Sequence, residues 1–135
     1  MRILIAGGPK TGKTSMGMRL ASERGCRHLC TDPQDLCPAG VAGAPLDLSW
    51  SENSLWVAQH WLELHGPWVI EGVAVPRALR KWQVLHEGAP PPCDELIILT
   101  EPHAALGAKQ EQMTQALLGV VEELMWWIAP VTRWM

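Results

Sequence analysis

The chain has 135 residues, a formal net charge of −3 and 47% hydrophobic residues, enough for one domain with a core but little more. The acidic balance argues against a general nucleic-acid binder, because such proteins carry a basic excess or a long basic stripe. No apolar stretch is long and uncharged enough to span a bilayer, and the amino terminus enters a predicted strand at once. We therefore expect a single cytoplasmic domain over residues 1–135 that binds neither nucleic acid nor membrane.

The first predicted strand, residues 3–6, leads into a Walker A motif that spans residues 7–14 and reads Gly-Gly-Pro-Lys-Thr-Gly-Lys-Thr. Its glycines let backbone N–H groups converge on an anion, Lys13 can reach the β- and γ-phosphates, and the Thr14 hydroxyl can ligate Mg²⁺. Helical spacing over residues 14–24 places a helix N-terminus behind the same anion site. The residues expected to bind ATP or another nucleoside triphosphate are Gly8, Pro9, Lys10, Thr11, Gly12, Lys13, Thr14 and Ser15.

A second strand is predicted over residues 27–31 and ends at Asp32-Pro33, where proline blocks further pairing. Asp32 lies where a base could meet a substrate hydroxyl or phosphate, although Asp-Pro is also an ordinary turn pair. The loop over residues 34–45 has the length of a functional lid.

The cysteines around this strand invite a zinc interpretation, since Cys26, His28 and Cys30 would share one face and Cys37 follows. Structural zinc sites use C-x₂₋₄-C pairs on turns, and a metal on an interior sheet face would displace the core. The sequence therefore favours reduced thiols over a zinc knuckle.

The middle of the chain offers one acid and a group of cations. A capping-box signature predicts a helix from residue 49 to about residue 65, and residues 68–71 form an apolar strand that ends in Glu71. Glu71 follows this strand as a Walker B acid does, which would place it near Mg²⁺ or its water; the alternative is a solvated acid. On a predicted helix over residues 76–85, Arg77 and Arg80 suit bidentate phosphate contacts, unless they form only a solvated basic face.

The clearest later strand covers residues 95–100, and a long helix is predicted over residues 104–128. Lys109 lies on its apolar stripe, so its stem should start toward the core and its amine should exit into the cleft or along ordinary surface. Strands that alternate with helices predict a three-layer α/β sandwich with about four, mostly parallel, strands. Ligands of such sheets bind beyond the carboxyl ends of the strands.

Two segments carry a resemblance to a known family. They are the Walker A segment and Val69-Ile70-Glu71-Gly72 with Pro76-Arg77, which is similar to the hydrophobic-Asp-Gly-Phe-Pro-Arg segment of nucleoside monophosphate kinases. Glu71 replaces the family's Asp, and two extra residues precede Pro76. The chain thus resembles the small P-loop kinases related to adenylate, shikimate and gluconate kinases, including compact versions in bacteriophage genomes.

That resemblance implies a P-loop NTPase-like fold, ATP and Mg²⁺ as cofactors, a substrate-phosphate arginine at Arg77 and a substrate-site or catalytic acid at Asp32. The family's arginine-rich lid and fifth strand have no counterpart that we can identify beyond Thr100.

Two functions are therefore considered. The first is an ATP- and Mg²⁺-dependent phosphotransferase for a nucleotide or another small metabolite, with Thr14 and Glu71 on the metal. Its candidate catalytic residues are Lys13, Asp32, Glu71, Arg77 and Lys109. The second is a nucleotide-binding or slow NTPase module that acts through a protein partner or a second copy. Its candidate contact residues are Trp126, Trp127 and Trp134, near the carboxyl end.

Overall fold

The computed structural model describes residues 1–32 and 48–135. The predicted loop over residues 34–45 and Cys37 lie outside the described residues. In chain order the main elements are β1 (Arg2–Gly7), α1 (Lys13–Arg24), β2 (Arg27–Cys30), α2 (Trp50–Trp56), β3 (Trp68–Gly72), α3 (Val75–Leu85), β4 (Glu95–Leu99), α4 (Ala108–Ile128) and β5 (Thr132–Trp134). A π-helical segment, Val57–Trp61, continues α2, and a 3₁₀ turn, Ala129–Val131, leads into β5.

The five strands form one sheet in the order β2-β3-β1-β4-β5, and every neighbouring pair is parallel. The central strands are continuous apolar runs, as expected where helices cover both faces of a parallel sheet. The α/β prediction with a parallel sheet is confirmed. The predicted number of about four strands is wrong by one, because β5 has only three residues and carries no readable periodicity.

The strands sort their side chains onto two faces, which gives the molecule three layers. On one face, Ile3, Ile5 and Val69 pack with Ala21 of α1 in a small core. On the other face, a larger core forms where the sheet packs against α2, α3 and α4. Among the described helices, α1 alone packs on the first face.

Helix boundaries differ from the predictions where local caps decide them. The capping box at the start of α2 is confirmed, since Ser49 Oγ accepts from the Glu52 amide at 3.2 Å and Glu52 Oε1 accepts from the Ser49 amide at 3.1 Å. Helix α4 begins at Ala108, four residues later than predicted, because Gln110 Oε1 accepts from the Gly107 amide at 3.0 Å and fixes the cap there. None of the helices in the described part of the chain combines the length and apolar character needed to cross a membrane.

Candidate functional site

The carboxyl ends of the parallel strands meet at one edge of the sheet, and most of the predicted site residues gather there. The loop after β1 reaches α1 through Gly12, Asp32 follows β2, and Glu71 lies one residue before the end of β3. The segment after β4, residues 100–107, closes the same edge. This is the edge at which open α/β sheets bind their ligands.

The loop between β1 and α1 enters the left-handed backbone region at two positions, of which one is a glycine. Gly12 has φ 82° and Lys10 has φ 62°, both in the left-handed region. The first helical hydrogen bond of α1 runs from the Met16 amide to Gly12 O at 3.0 Å. The N–H groups of the first turn, from Lys13 on, thus have no partner within the helix and point toward the loop.

Neighbouring segments approach this loop so closely that side chains would not fit on two of its glycines. A Cβ on Gly8 would lie 2.2 Å from Thr114 Oγ1 of α4, and one on Gly12 would lie 2.6 Å from His103 Nε2. The His103 amide also donates to Lys10 O at 2.7 Å. Lys10 Nζ in turn donates to Ala105 O at 3.0 Å. The segment after β4 therefore holds the loop in place.

Lys13 is buried at the start of α1, and its ammonium lies between the loop and an acid. Its Nζ donates to Gly8 O at 3.3 Å and lies 4.0 Å from Asp32 Oδ2. Thr11 Oγ1 donates to the same carbonyl at 2.9 Å. The loop thus keeps the Lys13 cation close to its own backbone and beside Asp32.

Asp32 is only 4% exposed and has one oxygen fixed by the chain after β3. Its Oδ1 accepts from the Val73 amide at 2.7 Å and from the Ala74 amide at 3.4 Å. The pKa of Asp32 is raised to about 6, mainly by burial; the Lys13 ammonium opposes this rise, the Glu71 carboxylate adds to it, and the two amides oppose it. A carboxyl group with such a pKa can exchange a proton near neutral pH.

Glu71 is fully buried and faces α1. Its Oε2 lies 2.9 Å from His28 Nε2, in a hydrogen bond between β2 and β3. Its Oε1 has no hydrogen-bond partner within the described chain. Gly17 of α1 makes room for this pair, because a Cβ there would lie 2.9 Å from the His28 ring and 3.0 Å from Glu71 Cγ.

The basic residues of α3 have different partners. Arg80 pairs with Glu123 of α4 at 3.3 Å. Lys81 Nζ donates to Ser51 Oγ and Ser54 Oγ, each at 2.8 Å, and so ties α3 to α2. Arg77 has no acidic partner within the described ranges.

Arg77 instead lines a cavity of about 170 Å³. The other residues that line it are Trp50, Val73, Ala74, Met113 and Leu117. Val73 and Ala74 thus line this cavity and also donate their amides to Asp32, so the cavity and the acid share one wall.

The remaining predicted residues lie apart from this group. Thr14 and Ser15 are exposed on the first turn of α1, and no hydrogen bond joins Thr14 to the buried Glu71 among the described residues. Lys109 is exposed, so the expectation that its stem starts toward the core is wrong. The reason is that Leu106, which anchored the predicted stripe, precedes the helix.

A larger cavity of about 470 Å³ lies on the other side of the loop. Its lining residues are Thr11, Gly12, Ser15, Met16, Arg19, Leu99, Glu101, His103 and Met135. The Met135 amide donates to Ile98 O at 2.9 Å, so the chain end beyond β5 forms part of its wall.

Sequence reasoning missed Gly17, His103 and Thr114, and it considered His28 and Cys30 only as members of a zinc site. The alternation of Cys26, His28 and Cys30 places the three side chains on one strand face. It suggested a metal site with the cysteines, whereas His28 contacts Glu71, which lies 43 residues later in the chain. Thr114 and His103 carry no local pattern. Neither a protein-family model nor a curated protein matches this chain.

Proposed function

We propose that the protein is a P-loop NTPase-like phosphotransferase that moves the γ-phosphoryl group of ATP to a small acceptor. The observation that carries this proposal is the position of Asp32. Its carboxylate lies 4.0 Å from Lys13 Nζ, and it is held by amides of the two residues that also line the Arg77 cavity. An acid between a phosphate-binding lysine and a second ligand cavity is well placed to act between donor and acceptor.

The donor side is the glycine-rich loop with the first turn of α1. Its free N–H groups, the helix dipole and the Lys13 ammonium all favour an anion at one place. The β- and γ-phosphates would replace Gly8 O as the partner of Lys13 Nζ. The 470 Å³ cavity beside Gly12 would accommodate the rest of the nucleotide.

The acceptor side is the Arg77 cavity. Trp50, Met113 and Leu117 give it apolar walls, and Arg77 adds a cation without an acidic partner in the described ranges. This combination suits an acceptor with an apolar or planar part and an anionic group, such as a nucleoside monophosphate or another small phosphorylated metabolite. Where the accepting atom is a hydroxyl oxygen, Asp32 would take its proton as the phosphoryl group is transferred.

Mg²⁺ would be held by oxygen atoms of Thr14 and Glu71, together with waters and the phosphates of ATP. The Thr14 hydroxyl is exposed at the start of α1, and Glu71 Oε1 is a buried acceptor without a partner in the described chain. Oxygen ligands and retained waters are what Mg²⁺ requires. When bound, the ion neutralises charge on the transferred phosphate. Lys13 then positions that phosphate against the acceptor.

The proposal is tested by screening ATP consumption against nucleosides, nucleoside monophosphates and small sugars, with chemical identification of the phosphorylated product. For an acceptor so found, Arg77→Ala should lower kcat/KM by about ten-fold or more, since a charge-assisted phosphate contact contributes roughly 1.5–3 kcal/mol. Arg77→Lys should recover only part of it, because a point charge cannot reproduce the guanidinium fork.

Arg80→Ala is the matched control, since Arg80 lies on the same helix and pairs with Glu123. It should leave the acceptor KM unchanged. Equal loss in both variants would mean that α3 acts through its general charge and would remove Arg77 from the acceptor site.

A second candidate function is a nucleotide-binding module that acts through a partner. It is favoured by Trp126 and Trp134, which are 71% and 51% exposed near the carboxyl end. Trp127, in contrast, is 8% exposed and belongs to the core, so it is not part of this surface. The Trp126→Ser variant distinguishes the two functions. If the protein is an enzyme that needs no partner, this variant should keep the phosphoryl-transfer rate of wild type.

A further inference from the structure

Next to the donor loop, one thiol and two carboxylates meet at the ends of β2 and β3. The cluster, here called the Cys30 cluster, consists of Cys30, Asp32 and Glu71. One ligand atom from each residue, a sulfur and two carboxylate oxygens, lies within 4.8 Å of the other two. Parallel pairing creates this proximity, because Cys30 is the register partner of Glu71.

In each carboxylate of the cluster, one oxygen is held by a hydrogen bond, and the other oxygen has no hydrogen-bond donor among the described residues. Asp32 Oδ1 accepts from the Val73 amide at 2.7 Å, whereas the partner of Oδ2 within residues 1–32 and 48–135 is the Lys13 ammonium at 4.0 Å. Glu71 Oε2 is hydrogen bonded to His28, whereas Oε1 is fully buried and has no partner among the described residues. A buried carboxylate oxygen without a hydrogen-bond donor is costly unless a cation satisfies it.

The hydrogen bonds around the cluster resemble the outer partners of metal ligands. Ligating carboxylates in proteins are themselves hydrogen bonded, which fixes their orientation and leaves the other oxygen for the metal. His28 plays this part for Glu71, and the Val73 amide plays it for Asp32. The third ligand atom is a thiol sulfur, which selects thiophilic ions over the hard ion Mg²⁺.

We propose that the Cys30 cluster binds a thiophilic divalent cation of the Zn²⁺ or Co²⁺ class, with Cys30 Sγ, an Asp32 oxygen and a Glu71 oxygen as ligands. Three protein ligands leave a fourth position for water, as in an open tetrahedral site. Metal–sulfur and metal–oxygen bonds of about 2.3 Å and 2.1 Å bring neighbouring ligands to about 3.5 Å, so the atoms must close by roughly 1 Å. The thiol proton leaves to solvent when the ion binds.

Occupation of this site would engage both acids that the proposed phosphoryl transfer uses. The site rests on the observed cluster and does not require that transfer to occur. Zn²⁺ would then act as an inhibitor that competes for Asp32 and Glu71, while Mg²⁺ would not bind through Cys30.

The test is a titration of reduced, nucleotide-free protein with Co²⁺ alone, followed by absorption spectroscopy. Wild type should bind one Co²⁺ with a sulfur-to-cobalt charge-transfer band in the near ultraviolet. Cys30→Ser should lose that band and weaken Co²⁺ binding at least ten-fold, and Glu71→Gln should weaken binding while the band persists at saturation. Cys26→Ser is the matched control, because Cys26 is a partly buried thiol that precedes the same strand, and it should change neither quantity.

A charge-transfer band that persists in Cys30→Ser, or that vanishes in Cys26→Ser, would overturn the assignment. A second measurement needs no variant. Zn²⁺ should protect Cys30 from alkylation in wild type while Cys26 continues to react, as read by peptide mass mapping. Equal alkylation of Cys30 with and without Zn²⁺ would also overturn it. The metal titration contains no nucleotide, so its result does not depend on the proposed function. If the protein neither binds nor consumes ATP, the proposed function is refuted while the metal site still stands.

Discussion

The buried carboxyl group of Asp32 should destabilise the folded protein as the pH rises, and Asp32→Asn should remove that effect. Asparagine keeps Oδ1, so the hydrogen bonds from the amides of Val73 and Ala74 can persist. It cannot ionise. The substitution therefore isolates the charge of one side chain at nearly constant shape.

The size of the effect follows from the shifted pKa. Burial raises the pKa of Asp32 from 3.8 to about 6. Between these values the folded state binds more protons than the unfolded state, so the free energy of unfolding falls as the pH rises. The full shift corresponds to about 3 kcal/mol, of which about 2 kcal/mol should develop between about pH 4 and pH 7.

The assay is urea unfolding of both proteins at several pH values, with EDTA present and tryptophan fluorescence as the signal. The stability of Asp32→Asn relative to wild type should increase by about 2 kcal/mol from about pH 4 to pH 7. The phosphoryl-transfer rate of Asp32→Asn should be lower than that of wild type. A residue that destabilises the fold is expected to be retained because it serves function.

Asp94→Asn provides a control of opposite sign. A hydrogen bond from the Arg2 amide lowers the pKa of Asp94, so its stabilisation is present at neutral pH and is lost on acidification. The reasoning about Asp32 would be refuted if the free energies of unfolding of wild type and Asp32→Asn changed in parallel with pH. It would also be refuted if wild type became more stable relative to the variant as the pH rises.

Two substitutions of glycine test the packing around the site. Gly17→Ala should lose stability relative to Gly119→Ala in denaturant unfolding, because a Cβ at Gly17 meets the His28 ring at 2.9 Å and one at Gly119 meets nothing within 4 Å; equal effects of the two substitutions would contradict this. Gly8→Ala should weaken ATP binding in a calorimetric titration, because its Cβ would lie 2.2 Å from Thr114 Oγ1. Adding Thr114→Ala should restore part of the affinity, and a strictly additive double variant would show that the two positions do not interfere.

The sheet could be predicted from sequence because its central strands are continuous apolar runs bounded by turn residues. β1, β3 and β4 lie within two residues of their predicted limits. β5 could not be found in the same way, since Thr132–Trp134 is too short for a period and is defined by pairing with β4. The start of α4 depended on the Gly107 cap, which an apolar pattern does not reveal.

The candidate site was predictable only where local sequence places a residue at a strand end. Asp32 and Glu71 were found in this way, but their partners depend on strand order. His28 meets Glu71 because β2 pairs with β3, and the two residues are 43 positions apart. Likewise, only the family resemblance favoured Arg77 over Arg80 in the sequence, because the acid that pairs with Arg80 lies on α4.

The central claim is that the loop after β1 binds the phosphates of ATP while Arg77 serves a different ligand. Calorimetric titration of MgATP into wild type, Lys13→Ala and Arg77→Ala tests it directly, with circular dichroism to confirm that each variant is folded. We expect Lys13→Ala to weaken MgATP binding at least ten-fold, because it removes the ammonium beside Gly8 O and Asp32, and Arg77→Ala to leave it nearly unchanged. Unchanged MgATP affinity in folded Lys13→Ala, or its loss in Arg77→Ala, would contradict the account.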